Sequence, residues 1–223
     1  MRATVRWTCP SALSLGLCVL AACLPAGAAD LVVRVGDRGT AVSDAVVSLV
    51  QADGASRGAA SAVPPTAAID QRDLAFLPYV QVARPGGAAV FRNSDHTRHH
   101  VYSFSPAATF EMVLGPGERS GRVPLQEEGV VAVGCNIHDQ MIAWLYVSDA
   151  PWLARTGQGG GVRFRDVPPG DYRVRVWHPR LDARGDAVER RVTLHDAASR
   201  SLDIAVRLRP DARAQPDRER ADY

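Results

Sequence analysis

The chain contains no lysine; all 26 of its basic residues are arginines. We read that absence as a GC-rich coding bias, not as function. Charge of either sign is not in excess, with 26 basic residues against 24 acidic ones. Such a balance gives no basic field for nucleic acid or an anionic membrane. Aromatic residues are few, at 6%. No segment carries the periodicity of a long helix. The one long apolar run, residues 12–24, is soon broken by Pro25 and falls short of a membrane span. Cysteine is scarce and unevenly placed: Cys9, Cys18 and Cys23 fall in the first 29 residues, which leaves Cys135 alone. A lone cysteine excludes an intramolecular disulfide. What remains is 46% hydrophobic and 22% charged, a globular composition.

Residues 1–29 read as an export signal, with Arg2 and Arg6 ahead of the apolar run and Ala26-Gly27-Ala28 as a small-residue cleavage site. Removing it takes away two arginines and no acid, so the formal charge falls from +2 to 0. Leu20-Ala21-Ala22-Cys23 also reads as a bacterial lipobox, in which Cys23 is lipidated and becomes the new terminus. Cleavage near Ala28 or Ala29 and a lipid anchor at Cys23 both stay open. Either leaves a periplasmic chain without a transmembrane span.

The densest chemistry lies in Gly134-Cys135-Asn136-Ile137-His138-Asp139-Gln140-Met141. A thiolate, an imidazole and a thioether stand at i, i+3 and i+6. Residues 129–133 and 142–147 read as buried strands, so Cys135 ends one strand while His138 and Met141 lie on the connecting loop. A loop pinned at both ends can turn three side chains toward one point. A second imidazole is available in His99-His100-Val101. Two His, one Cys and a weak axial Met form the ligand set of a type 1 (blue) copper site. Zinc prefers His, Cys and carboxylate, and the thioether argues against it. Ligation also keeps an exported lone thiol as a thiolate and away from oxidation. The plain alternative is a buried Cys, a surface His and a core Met.

The mature chain reads as all-β. Strands over 31–35 and 45–50 flank a turn at 36–39. Residues 53–65 read as a linker. Residues 69–77 read as one helical turn or an irregular lead-in. Further strands are expected over 88–92, 101–105 and 120–123. Residues 161–176 alternate apolar and Arg positions about Pro168-Pro169-Gly170, which reads as a hairpin with one buried face. Strands follow over 188–194 and 201–208, and 209–223 reads as a disordered tail.

Residues 66–148 resemble the plastocyanin- and amicyanin-like cupredoxins. The likeness rests on Cys135-x-x-His138-x-x-Met141, on Val90-Phe91-Arg92-Asn93-Ser94-Asp95 ahead of His99, and on Pro116-Gly117-Glu118. It extends, through Val176-Trp177-His178, to proteins of the type labelled methylamine-utilisation proteins. It implies a Greek-key β-sandwich and one copper ion, with His99, Cys135 and His138 in plane and Met141 axial. His100 stands where relatives commonly carry an Asn that ties the ligand strand to the Cys loop. His99 versus His100 as first ligand is therefore open, although the family register favours His99. Asp139 replaces a Pro often found after the second ligand His. Residues 39–49 and 161–172 resemble carboxypeptidase-regulatory or transthyretin-like domains. That likeness implies a second β-sandwich, discontinuous, built from 30–52 and 151–208 around the inserted cupredoxin domain.

The implied function is a periplasmic one-electron carrier. His138 would be the portal, rimmed by Ile137, Met141 and Ile142, and the redox partner a c-type cytochrome or periplasmic dehydrogenase. The competing reading is a non-redox, copper-sequestering sandwich that contacts a partner protein. An enzyme is disfavoured. A further copper centre needs clustered histidines, and no His-x-His pair occurs. Glu127-Glu128 reads as a solvated turn, and a Cys135–His138 dyad lacks an orienting third group. His96 and His100 read as loop or supporting residues, His178 and His195 as surface or packed, and Met112 as core. Mass spectrometry of the exported protein separates the two processing outcomes: a lipidated Cys23 terminus, or an unmodified one near Ala29.

Overall fold

The structure is a computed structural model that describes residues 27–54, 62–182, 187–195, 199–211 and 213. The expected signal up to residue 26, with Cys23, lies outside these residues, as do the middle of the expected linker and, of the expected tail, residues 212 and 214–223. Within them the chain is all-β, with seventeen strands and no α-helix. The first strands are β1 (Ala29–Asp37), β2 (Thr40–Ala41) and β3 (Val46–Gln51). The middle holds β4 (Thr66–Arg72), β5 (Ala75–Leu77), β6 (Val80–Ala83), β7 (Gly87–Asn93), β8 (His99–Ser105), β9 (Ala108–Leu114), β10 (Val123–Leu125), β11 (Gly129–Cys135) and β12 (Ile142–Val147). The last are β13 (Trp152–Arg155), β14 (Gly161–Val167), β15 (Gly170–Trp177), β16 (Val188–Leu194) and β17 (Arg200–Ala205).

Two sandwiches result, one set into the other. The outer one joins both ends of the chain. Its first sheet runs β14-β1-β17 with β2 on β1, and its second runs β13-β3-β15-β16. Leu31, Val33, Leu49, Phe164, Tyr172, Val174 and Ile204 are buried between them. The inner sandwich, residues 66–147, has sheets β10-β7-β4-β5 and β6-β12-β11-β8-β9. Its core holds Ile69, Phe91, Val101, Leu125, Val133 and Leu145, together with Cys135 and Met141. Val46, Tyr79, Val80, Leu153 and Trp177 form a third apolar cluster where the sandwiches meet. Arg84 fastens the crossing from β12 to β13. Its guanidinium donates to the carbonyls of Ser148 (3.1 Å), Ala150 and Pro151 (3.2 Å).

Strand pairing departs from the sequence reading at three places. Residues 161–176 are not a hairpin, because β14 pairs with β1 while β15 pairs with β3 and β16. Alternation specifies the buried face, not the neighbour. Val162 and Phe164 from one sheet and Tyr172, Val174 and Val176 from the other fill one core from opposite sides. The Tyr172 hydroxyl donates to the Pro168 carbonyl at 2.7 Å and pins the crossing. Likewise, 31–35 and 45–50 lie in opposite sheets. The turn between them serves β1 and β2, with Arg38 and Gly39 at φ 50° and 84°, the successive left-handed pair of a type I′ turn. Residues 69–77 are not helical. They fold as β4 and β5 around Asp73 and Leu74, at φ 54° and 58°. The support for β4 is its parallel pairing with β7, as in Gln71↔Asn93, a contact that local sequence does not reveal.

His178 sits at the junction, 5% exposed, its ring 6.5 Å from that of Tyr79. Its Nδ1 accepts the Arg180 N–H at 3.1 Å. Burial, with the nearby Arg180 charge, lowers its pKa from 6.5 to about 4. Between those values the unfolded chain binds the proton and the folded chain does not. Stability from this group is therefore complete above about 6.5 and is lost as pH falls toward 4. The slope is at most about 1.4 kcal/mol per pH unit. Denaturant melts of wild type and His178→Asn across that range test this; the variant loses the slope.

Candidate metal centre

Cys135 is the last residue of β11 and His99 the first of β8, and these neighbouring strands pair in the register Cys135↔Val101. His138 arrives on the loop between β11 and β12. Three backbone bonds hold that loop. The Cys135 N–H donates to the Met141 carbonyl (3.2 Å), the Met141 N–H to the His138 carbonyl (3.0 Å), and the Asn136 N–H to the His100 carbonyl (3.0 Å). The last bond ties the loop to the His strand through backbone alone. A Cβ at Gly134 would lie 2.9 Å from the Tyr102 ring, so a larger residue beside the thiol would push that ring aside.

The Cys135 Sγ lies 3.8 Å from His99 Nδ1 and 3.7 Å from His138 Nδ1. The three donor atoms all fall within 4.8 Å of one another. Bonds of roughly 2.1 Å to nitrogen and 2.3 Å to sulfur, opened to about 120°, separate N from S by about 3.8 Å. Both observed edges are of the length that one metal ion bound by all three atoms would need. Cys135 and His99 are buried, while His138 is half-buried. Met141 is 1% exposed and lies in the same core cluster as Cys135.

Asp95 sets the state of His99. Its carboxylate lies 2.8 Å from His99 Nε2 and also accepts the N–H groups of Asp73 (2.6 Å) and Leu74 (3.2 Å). Burial pushes the Asp95 pKa up, but the bonds from His99 and the two amides prevail and hold it below the usual carboxylate range. An ionised carboxylate only accepts, so Nε2 carries a proton, and in the neutral ring that leaves Nδ1, 3.8 Å from the thiol, to present the lone pair. Asp95 is itself placed by Asn93, fully buried, whose Oδ1 accepts the Asp95 N–H at 2.9 Å. The Asn93 amide donates to the carbonyls of Thr97 and Leu114 at 2.8 and 2.9 Å.

The structure brings together three of the four residues singled out from sequence as ligands, His99, Cys135 and His138, with Met141 buried beside Cys135. Strand alternation sends His100 to the opposite face, where its Nε2 meets Glu111 at 2.7 Å. His96, Asp139 and His195 are exposed. Met112 is partly buried against the inner core. Glu128 is not a free turn residue. It accepts from the Ser148 hydroxyl (3.0 Å) and the Asp149 N–H (2.8 Å). The expected docking rim shrinks to Ile137, which is 44% exposed; Met141 is buried, and Ile142 packs at the junction. Sequence reasoning missed Asp95 and Asn93 as supports. The i−4 offset of Asp95 from His99 was visible, but in a loop that spacing carries no fixed geometry.

No protein-family model matches the chain, and no curated relative matches it in sequence. Solved structures do show likeness. A purple cupredoxin from Nitrosopumilus maritimus is 21% identical over 37% of this chain and 99% of its own, with a TM-score of 0.33. Amicyanin from Paracoccus versutus is 12% identical over 45% of this chain and 98% of its own, at 0.35. A copper-containing nitrite reductase from Thermus scotoductus is 24% identical over 42% of this chain but only 24% of its own, at 0.34.

Replacing Asp95 by Ala leaves a buried imidazole N–H and two turn amides without their acceptor. We expect a loss of about 1–3 kcal/mol in stability and of about 10- to 100-fold in metal affinity. Thermal melts and chelator competition measure the two effects separately.

Proposed function

We propose that the chain is an exported type 1 copper protein that carries one electron at a time and is not itself an enzyme. The observation that carries this reading is the meeting of two imidazole Nδ1 atoms and one thiol within 4.8 Å, in a largely buried setting with the His99 tautomer already set. His99, Cys135 and His138 would hold the copper, with the Met141 thioether available as a weaker fourth donor. Copper bound there supplies a one-electron couple.

The task of the protein is to keep its ligands still while charge changes. Each of the three is restrained differently: Cys135 by the β11 ladder, His99 by Asp95, and His138 by the backbone bonds of its loop. A stiff donor set keeps the rearrangement between oxidation states small. The buried side chains around Cys135 and Met141 exclude water and raise the influence of local hydrogen bonds on the potential. His138, half-buried beside the exposed Ile137, is the natural point of contact for a redox partner. A c-type cytochrome or a periplasmic dehydrogenase suits that role.

Visible absorption and EPR of the Cu(II)-loaded protein test the reading beside Cys135→Ser. We expect an intense thiolate charge-transfer band with narrow copper hyperfine splitting, abolished in the variant. A pale spectrum, or one indifferent to Cys135→Ser, would move the function to copper sequestration without electron transfer.

A further inference from the structure

The junction of the two sandwiches carries a groove whose lining includes none of His99, Cys135, His138 and Met141. β12 turns Ala143, Leu145 and Val147 into the inner core and presents Trp144 and Tyr146, both half-buried, on its other face. Trp177 comes to meet them from β15 of the outer sandwich, its ring 6.1 Å from that of Trp144 and 5.2 Å from that of Tyr146. Val46, Tyr79, Val80 and Leu153 fill one part of the junction. Elsewhere it opens into a cavity of about 760 Å³ lined by the three aromatic residues, within the size range of small-ligand sites. A hollow of about 350 Å³ shares Glu128, Tyr146 and Arg175 with it, so the space continues as a groove between the sandwiches.

We propose that this groove binds a neutral oligosaccharide. The partly exposed rings of Trp144 and Tyr146, backed by the buried Trp177, offer apolar surface to the C–H faces of sugar rings. The cavity is also lined by carboxylates from Glu128 and Asp182 and guanidinium groups from Arg175 and Arg209, acceptors and donors that suit hydroxyl groups. Along the whole groove Glu128, Asp149, Asp182 and Glu189 stand against Arg173, Arg175 and Arg209, so the signs are interspersed and neither builds a strong field for an anion or a cation. A wholly apolar ligand would strip water from these groups without replacing it. Glu128 is a prepared acceptor: burial pushes its pKa up, but bonds from Asp149 and Ser148 prevail and hold it low.

The test is calorimetric titration of the full, copper-loaded chain with maltotriose, cellotriose and chitotriose, with tryptophan fluorescence as a second readout. We expect saturable binding of at least one, weakened about tenfold or more by Tyr146→Ala and by Arg175→Gln, and unchanged by Phe104→Ala, whose side chain is exposed and does not line the groove. Arg175 is exposed, so its variant tests the groove even where Tyr146→Ala disturbs the junction. Absence of saturation with all three sugars overturns the proposal, as does binding that survives Arg175→Gln undiminished. The copper spectrum is read in the same samples, so failure here is distinct from failure of the metal centre.

Discussion

The carboxylate of Asp95 is the constraint on which the candidate centre depends. It accepts from His99 and from the N–H groups of Asp73 and Leu74 at once. Those two residues hold left-handed backbone, φ 54° and 58°, which side-chain-bearing residues adopt at a cost. The same group therefore orients the His99 ring and stabilises a strained turn. Asn93 completes the unit by bridging the Asp95 amide to the carbonyls of Thr97 and Leu114. The His99 side of the candidate centre is thus held by protein contacts alone.

Nesting one sandwich in the other gives a second kind of order. Both ends of the inner unit are held by the outer one, and Arg84 grips the exit segment through three carbonyls. The apolar cluster around Tyr79 and Trp177 excludes water from part of the junction. Arg213 lies over the Tyr79 ring at 3.3 Å and pairs with Asp211, which in turn reaches Arg180 at 3.2 Å. These contacts join the end of the described chain to both units. The groove lies beside them, lined by residues of both sandwiches.

Much of the strand content was legible because buried faces leave a period-two imprint. β11 and β12 with their short loop, and the set Cys135, His138 and Met141, followed from that imprint and from ligand chemistry. Pairing was not legible. β14 and β15 look like a hairpin because they are adjacent and both alternate, yet they lie in opposite sheets. β4 looks irregular because its partner β7 is distant in sequence and parallel to it. Asp95 and Glu128 looked like ordinary polar residues, since their roles come from groups on other strands or loops.

By itself the sequence determined the chemistry that this chain can offer: one thiol, a histidine and a thioether on a single short loop, a second histidine upstream, and an all-β chain to carry them. Residue type and local spacing suffice for that, because a loop between two strands limits where its side chains can go. Only the tertiary structure decided that His99 rather than His100 faces the thiol, that Asp95 sets its tautomer, and that three aromatic rings from two sandwiches meet in a groove. Each of these rests on contacts between strands or loops remote in sequence. A one-residue change of register would reverse the face of every side chain on a strand, and the register is set by packing.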